Sequence, residues 1–344
     1  MNIVNIKNHF TQPAEEYPDF DPLNLLEELY SGLSIYWATA ENIFQGSGIR
    51  LLNPPDDFYS LEKNFFSTLF LYSYQRANIT RPRRILYVAV NQCLRGMVTG
   101  CDNILDDEYK KTLDTDLPEQ GWRFRSVLDI MVSDRVLFEI LLNFWQKREL
   151  TYDQVLSAIS ESLRALTKSG AQEASEENGI GKILVPSAVL RWVHHYKTGI
   201  LFQCPWALPL IIEPIEKKSV SFLLDALYQI GMGCQIMDDM VDLYADLKAK
   251  RHNYIVSLIH HESDEAEKRR LQTLMTARPE LDEKSNYLNH FPAARIQAKM
   301  KAREFLESGL KVLFDQEHRF SVETAISFMA RRIGAEGFMY GTDK

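Results

Sequence analysis

Two acidic runs carry the chemistry that this sequence could do. One is Asp102-Asn103-Ile104-Leu105-Asp106-Asp107. The other is Gln235-Ile236-Met237-Asp238-Asp239-Met240-Val241-Asp242, with Asp246 one turn further on. Each run extends a mostly apolar stretch. On a helix, Asp102 and Asp106 stand at i and i+4, and Asp238, Asp242 and Asp246 at i, i+4 and i+8, so each set shares a face. Gln235 lies a turn before Asp238. Like charges stacked in this way disfavour a helix by about 0.3 kcal/mol per pair, and by more when partly buried. A single acidic run is ordinarily a solvated helix end. Two runs in register, both built from Asp rather than the better helix former Glu, ask for a cation between them. Carboxylate-only donors suit Mg²⁺, which takes one or two carboxylates plus substrate phosphates. Softer metals ask for His or Cys, and the sequence has no Glu-x-x-His pair of the di-iron kind. Between the runs lies His194-His195-Tyr196-Lys197-Thr198-Gly199. A lone lysine on an apolar helix ordinarily snorkels, but beside a magnesium cluster Lys197 and Thr198 would make a phosphate clamp.

The elements that must hold these residues are helices. Spacing of the helical period recurs in long segments, and strand alternation with hairpin turns does not. Helices are expected over 22–45, 59–78, 83–109, 123–148, 152–169, 185–212 (broken near Pro205 and Pro209), 218–248, 293–315 and 320–335. Polar stretches at 168–182 and 277–292 read as flexible loops. The sum is one all-α domain over 1–344 with ten or so helices.

Composition agrees. The chain has 344 residues, 45% hydrophobic and 25% charged, enough for a large core. Its formal charge of −8 suggests neither a nucleic-acid nor an anionic-membrane partner. The N-terminal stretch has no apolar signal region, and the most apolar segment, 199–212, is interrupted and too short to span a bilayer. Cys93, Cys101, Cys204 and Cys234 form no Cys-x-x-Cys pair and read as buried thiols in a reducing cytoplasm.

Together, Asp102–Asp107, Lys197-Thr198-Gly199 and Gln235–Asp242 resemble the two aspartate-rich motifs and the intervening Lys-Thr motif of the class I isoprenoid synthases, above all the trans-polyprenyl diphosphate synthases. The likeness covers roughly 60 to 260. It implies a mostly antiparallel multi-helix bundle around a central apolar cavity, acting on a prenyl diphosphate with three Mg²⁺ ions, and a homodimer. Asp102 and Asp106 would hold two ions from one wall; Asp238 would hold a third from the other, with Asp242 nearby. Lys197 and Arg251 would add positive charge to the diphosphate, and Thr198 and Gln235 would orient ligands. The resemblance casts Asp102, Asp106, Asp238 and Lys197 as the catalytic group.

The sequence departs from the family at three places. Asn103 stands where a second aspartate is usual. Lys110 and Lys111 stand near the usual Arg-Arg pair, which makes Lys111 a candidate diphosphate ligand. Arg81, Arg83 and Arg84 lie too close to Asp102 for the segment that binds isopentenyl diphosphate. Chain elongation is the leading expectation. Head-to-head condensation, cyclisation of one prenyl diphosphate, and a non-catalytic partner subunit stay open. Met97 and Val98, a turn before the first motif, are not paired aromatics, which points to a longer prenyl product. His194 is expected as a hydrogen-bonded core or surface residue.

Overall fold

The computed structural model describes residues 25–276, 287–316, 318–319 and 321–341. Helices α1 (Leu25–Phe44), α2 (Leu61–Arg76), α3 (Arg81–Leu105), α4 (Trp122–Gln146) and α5 (Tyr152–Ala174) make the first half. A one-turn α6 (Pro186–Ala188) leads into a π-helical segment, Val189–Gly199, then a 3-10 turn, Leu201–Trp206, and the short α7 (Pro209–Ile212). The second half holds α8 (Ser221–Val241), α9 (Leu243–Ala249), α10 (Tyr254–Glu262), α11 (Glu265–Thr276), α12 (Pro292–Leu313), α13 (Ser321–Ile333) and α14 (Glu336–Tyr340). Among the described residues there is no strand, only an isolated bridge between Leu51 and Thr115. The all-α expectation holds.

The helix starts are written locally. The Ser60 hydroxyl accepts from Lys63 N at the head of α2. Thr151 and Gln154 form a reciprocal capping box on α5. The Asn253 side chain accepts from Ile255 N and Val256 N and opens α10. Packing then decides the arrangement. Helix α8 runs through the core, with Leu223, Leu227, Ile230, Ile236 and Met237 all buried, and α12 lies along it. Helix α3 packs between α1 and α4. Truncating a side chain such as Leu227 to Ala would cost about 2–5 kcal/mol.

Several boundaries differ from expectation, each for a physical reason. Residues 168–174, expected in a loop, continue α5. The expected helix 185–212 is instead π, then 3-10, then a short α turn; Pro205 lies inside the 3-10 part, where its missing N–H breaks the ladder. The expected helix 218–248 breaks at Asp242, between α8 and α9. The i to i+4 bonds survive the break: Asp242 N to Asp238 O and Asp246 N to Asp242 O are both 2.9 Å. The three aspartates therefore keep their row. Helices α10 and α11 were not expected. Of the loop expected at 277–292, residues 277–286 lie outside the described residues, while Tyr287–His290 form a 3-10 turn and Pro292 starts α12.

Two glycines bring the π segment onto α8. A Cβ on Gly199 would sit 2.5 Å from the Tyr228 ring, and one on Gly231 would sit 2.8 Å from Thr198 O. That approach sets Lys197 and Thr198 beside the acidic end of α8. One stretch, Lys217–Val241, is long and apolar enough to cross a membrane by length and composition, but 72% of its apolar window is buried inside the bundle.

Candidate active site

The C-terminal ends of α3 and α8 face one patch of charge. Asp102 occupies the last turn of α3, and Asp106 caps it. Asp238 occupies the last turn of α8, and Asp242 caps that. Burial and the neighbouring carboxylates Glu173 and Asp106 push the Asp102 carboxyl up to about 7. Burial and the neighbours Asp242 and Asp239 likewise push Asp238 up to about 7. Asp238 opens to solvent by surface area, yet protein walls it in on its other sides. Asp242 is raised by burial and Asp239, and Asp246 is raised well above the ordinary range by burial and Asp239. The cluster holds more negative charge than it can neutralise.

Three cations meet it. Lys197 Nζ lies 3.2 Å from Glu173 Oε1, and although burial alone would lower its pKa, the carboxylates around it hold the ammonium charged. Arg251 Nη1 lies 2.5 Å from Asp106 Oδ1, and its Nη2 donates to Leu105 O at 3.3 Å. A left-handed residue, Lys250 at φ 54°, makes the turn that aims Arg251 across the gap. Lys110 pairs with Glu108 and lowers the pKa of Asp102, Asp238 and Asp242 alike. Lys111 lies on Asp114, at 3.0 Å, instead. Of the adjacent lysines, Lys110 is the one set among the aspartates.

Thr198 donates to Gln235 Oε1, and Gln235 Nε2 reaches Asp238 Oδ2 at 3.3 Å and Asp239 Oδ1 at 3.1 Å. The Lys-Thr segment is thus tied to the second acidic row. Asp239 itself is buried and fully engaged. It meets His194 Nε2 at 2.9 Å and Tyr254 N at 2.5 Å, besides Gln235. His194 is a core histidine serving this network.

One participant, and one buried cation outside the cluster, were missed from sequence. Glu173 sits in the last turn of α5, where a polar tract hides the helix. Arg95, on α3, is seven residues before Asp102, about 10 Å along the axis. Its Nη1 donates to Asn64 Oδ1 at 3.2 Å. Burial and the nearby Arg332 lower its pKa to about 10, and no carboxylate pairs with it among the described residues. By contrast, Arg84 grips Glu28 at 2.5 Å, Arg81 meets Glu27 and Glu28, and Arg83 bonds Glu149 O. These three tie the far end of α3 to its neighbours.

The donors fit Mg²⁺ as Mg²⁺ binds with a substrate. They are hard carboxylate oxygens in excess of the local cations. Among the described residues no three acidic, thiol or imidazole groups form a ready-made cage; Mg²⁺ commonly takes one or two carboxylates and completes its shell with water and phosphate oxygens.

Comparison with known proteins bears on the fold and on one segment of the sequence. Residues 126–287 match the model of the family described as polyprenyl synthetase. No curated protein matches the sequence. Among solved structures, the geranylgeranyl pyrophosphate synthetase of Pyrococcus horikoshii superposes with TM-score 0.59 at 16% identity, covering 92% of this chain and 99% of that one. The heptaprenyl diphosphate synthase of Staphylococcus aureus gives TM-score 0.60 at 14%, covering 88% and 98%. The geranylgeranyl pyrophosphate synthase of Corynebacterium glutamicum, solved with isoprenyl diphosphate and magnesium, gives 0.54 at 14%, covering 92% and 99%. The fold is that of the isoprenoid synthases. The family match thus rests on residues 126–287, and the likeness to the solved prenyl synthases is one of fold. The matched segment holds the Lys-Thr and second acidic motifs, and Asp102–Asp106 lie upstream of it.

Proposed function

We propose that this chain is a Mg²⁺-dependent prenyl transferase that ionises an allylic prenyl diphosphate and extends it with isopentenyl diphosphate. The observation that carries this reading is the single patch in which Asp102, Asp238 and Asp242 meet Lys197, Arg251 and Lys110. Asp102, Asp106, Asp238 and Asp242 would hold the metal, which when bound would neutralise charge on the leaving diphosphate. Lys197 and Arg251 would give fixed positive charge to the same oxygens as the allylic carbon–oxygen bond breaks and diphosphate departs with the electron pair. Gln235 would hold Thr198 and Asp238 in register. Half-buried Phe66, Phe70 and Phe202, in edge-to-face contact, offer ring faces that a prenyl cation would favour.

Elongation needs a second diphosphate site. The charge on Arg95 supports one: it is deep, lacks a carboxylate partner among the described residues, and shares its surroundings with Arg332 rather than an acid. The paired Arg81, Arg83 and Arg84 sit about 27–32 Å up the helix from Asp102 and offer no such site. Cyclisation of one substrate would leave Arg95 without a task.

The test is an incubation of purified protein with Mg²⁺ and geranyl, farnesyl or geranylgeranyl diphosphate, with and without isopentenyl diphosphate. Longer prenyl diphosphates that require isopentenyl diphosphate, and that Arg95→Gln suppresses, support elongation. A hydrocarbon or alcohol from a prenyl diphosphate alone makes this a cyclase or head-to-head synthase. No diphosphate release leaves a non-catalytic partner subunit.

The homodimer reading gains a surface. Helix α4 exposes Phe124, Val127, Met131, Phe138 and Trp145 on one stripe, and Trp145 meets Tyr152 of α5 at 5.8 Å between ring centroids. The stripe is symmetric about 134–135. Around a two-fold axis there, Phe124 stands level with Trp145 of a second copy, and Met131 with Phe138. Two such helices about 35 Å long can supply the roughly 800 Å² per partner that a stable interface buries. Met131→Asp should yield a monomer by light scattering; an unchanged mass would remove α4 as the interface. Three of the four thiols are buried and none is bonded to another, in keeping with the cytoplasmic setting expected from the sequence.

A further inference from the structure

Asp246 continues the second acidic row, yet its hydrogen bonds run to the chain that follows it. Its carbonyl accepts from Arg251 N at 2.8 Å, and its Oδ2 accepts from Asn253 Nδ2 at 2.9 Å. It therefore holds the turn after α9 at two points, with left-handed Lys250 at the start of the turn. Asn253 completes the hold. It is buried, and its amide makes four bonds. Nδ2 donates to Asp246 Oδ2 and, at 2.8 Å, to Asp239 O. Oδ1 accepts from Ile255 N at 2.9 Å and Val256 N at 3.2 Å, and so caps α10. The partners fix which end of the amide is which. Two peptide N–H groups call for an oxygen, and a carbonyl and a carboxylate call for a nitrogen. The residues on either side of Asn253 are held too: His252 N donates to Glu176 Oε2 at 2.8 Å, and Tyr254 N to Asp239 Oδ2 at 2.5 Å. From this tethered turn Arg251 sends its side chain across the gap to Asp106 and Leu105 O.

We propose that Asn253 and Asp246 are a positioning pair: their bridge sets where Arg251 leaves the turn, and so where its guanidinium meets the substrate diphosphate. This rests on the diphosphate-binding reading above. The acidic row does not need the bridge, because the backbone bonds from Asp242 N to Asp238 O and from Asp246 N to Asp242 O already hold it. Loss of the bridge should therefore move Arg251 and leave the metal side of the row in place. Arginine grips a diphosphate through a planar fork, and its bonds weaken steeply once out of line. A displaced Arg251 keeps its charge near the anion and loses those bonds.

The probe is inorganic diphosphate, titrated calorimetrically into full-length protein at saturating Mg²⁺, with Mg²⁺ alone as a second titration. Asn253→Ser is the central variant. Serine keeps a good helix cap, but its one short hydroxyl cannot donate to both Asp246 and Asp239. Asn253→Thr keeps the cap in the same way and stands in if the serine variant folds poorly. Arg251→Gln should weaken diphosphate binding about tenfold, the loss of one charge-assisted bond. Asn253→Ser should weaken it about threefold, part of that same loss, and should bind Mg²⁺ alone no more weakly than wild type. In the Arg251→Gln background the serine change should add nothing, because the residue it positions is gone. A purely structural role would lower the melting temperature without this coupling to Arg251. Wild-type diphosphate affinity in the Asn253 variants, effects that multiply in the double variant, or weakened binding of Mg²⁺ alone by Asn253→Ser would each overturn the pair while leaving the diphosphate reading standing. No diphosphate binding by wild type would overturn both.

Discussion

The two acidic turns follow one plan with different chemistry. In each, the first residue, Asp102 or Asp238, stands in the charge cluster, and the next, Asn103 or Asp239, turns into the protein and pins a neighbouring segment. Asp239 pins by accepting only: from Tyr254 N, from Gln235 Nε2, and against His194 Nε2. Asn103 pins by accepting from and donating to one residue, Lys110. What lies opposite explains the difference. Asp239 meets donors, so a carboxylate serves best. Asn103 meets a peptide N–H and a peptide C=O, so only an amide satisfies both. A change that reads as a lost charge in the sequence is a choice of pin in the structure.

The outward residues should show the largest effect. Asp238→Ala or Asp102→Ala should cut diphosphate release by about 10³-fold, the scale seen when a group stabilising transition-state charge is removed. Rates of diphosphate release would show it, and loss at only one of the two positions would break the symmetry of the two turns.

Next come the inward residues, where stability is the readout. Asp239→Ala strands buried donors and should cost about 3 kcal/mol. Asp239→Asn should cost less but still destabilise, since the amide nitrogen must face a donor. Asn103→Ala should cost about 1–2 kcal/mol, because it frees a loop rather than a core. Denaturant midpoints at constant slope would rank the three. Equal tolerance of Asp239→Asn and wild type would end the argument that the two pins need different chemistry.

A smaller effect concerns pH. Asp129 on α4 is pushed up to about 7 by burial beneath the loop that Asn103 clamps, as Asp102 and Asp238 are in the cleft. A carboxyl raised from its ordinary value near 4 binds more protons folded than unfolded across that window. Stability should therefore fall as pH rises from about 4 to about 7. Thermal melts without metal should show this. Mg²⁺ should restore the share due to Asp102 and Asp238, while only Asp129→Asn should remove the rest. A melting temperature that rises with pH over this window would contradict the assignment.

How much was legible in the sequence follows from the same physics. The helical fold was, because apolar residues repeat at the helical period over long stretches. Asp102, Asp238 and Lys197 were, because their types and spacing are unusual on helices. The role of Asn103 was not, because its partners are backbone groups whose place depends on the turn at Asp107. Lys110 was taken for less than Lys111 because an irregular loop gives no rule for which side chain points inward. Glu173 was hidden in a tract whose Ser, Gly and Gln look like a loop but whose last helical turn is held by packing. Arg95 looked like one more charge on a helix, since its isolation from acids shows only once α2 and α13 are in place.

One exposed thiol gives the site a reporter. Cys101 precedes Asp102 and is the only exposed cysteine of the four; burial and the Asp102 charge hold its thiol above its ordinary range. A cation bound by Asp102 would offset part of that charge and favour the thiolate, the reactive form. The rate at which a thiol reagent labels Cys101 should therefore track the occupancy of the first acidic turn. Ligands could be screened on the unmodified chain by alkylation rate alone, before any product is known.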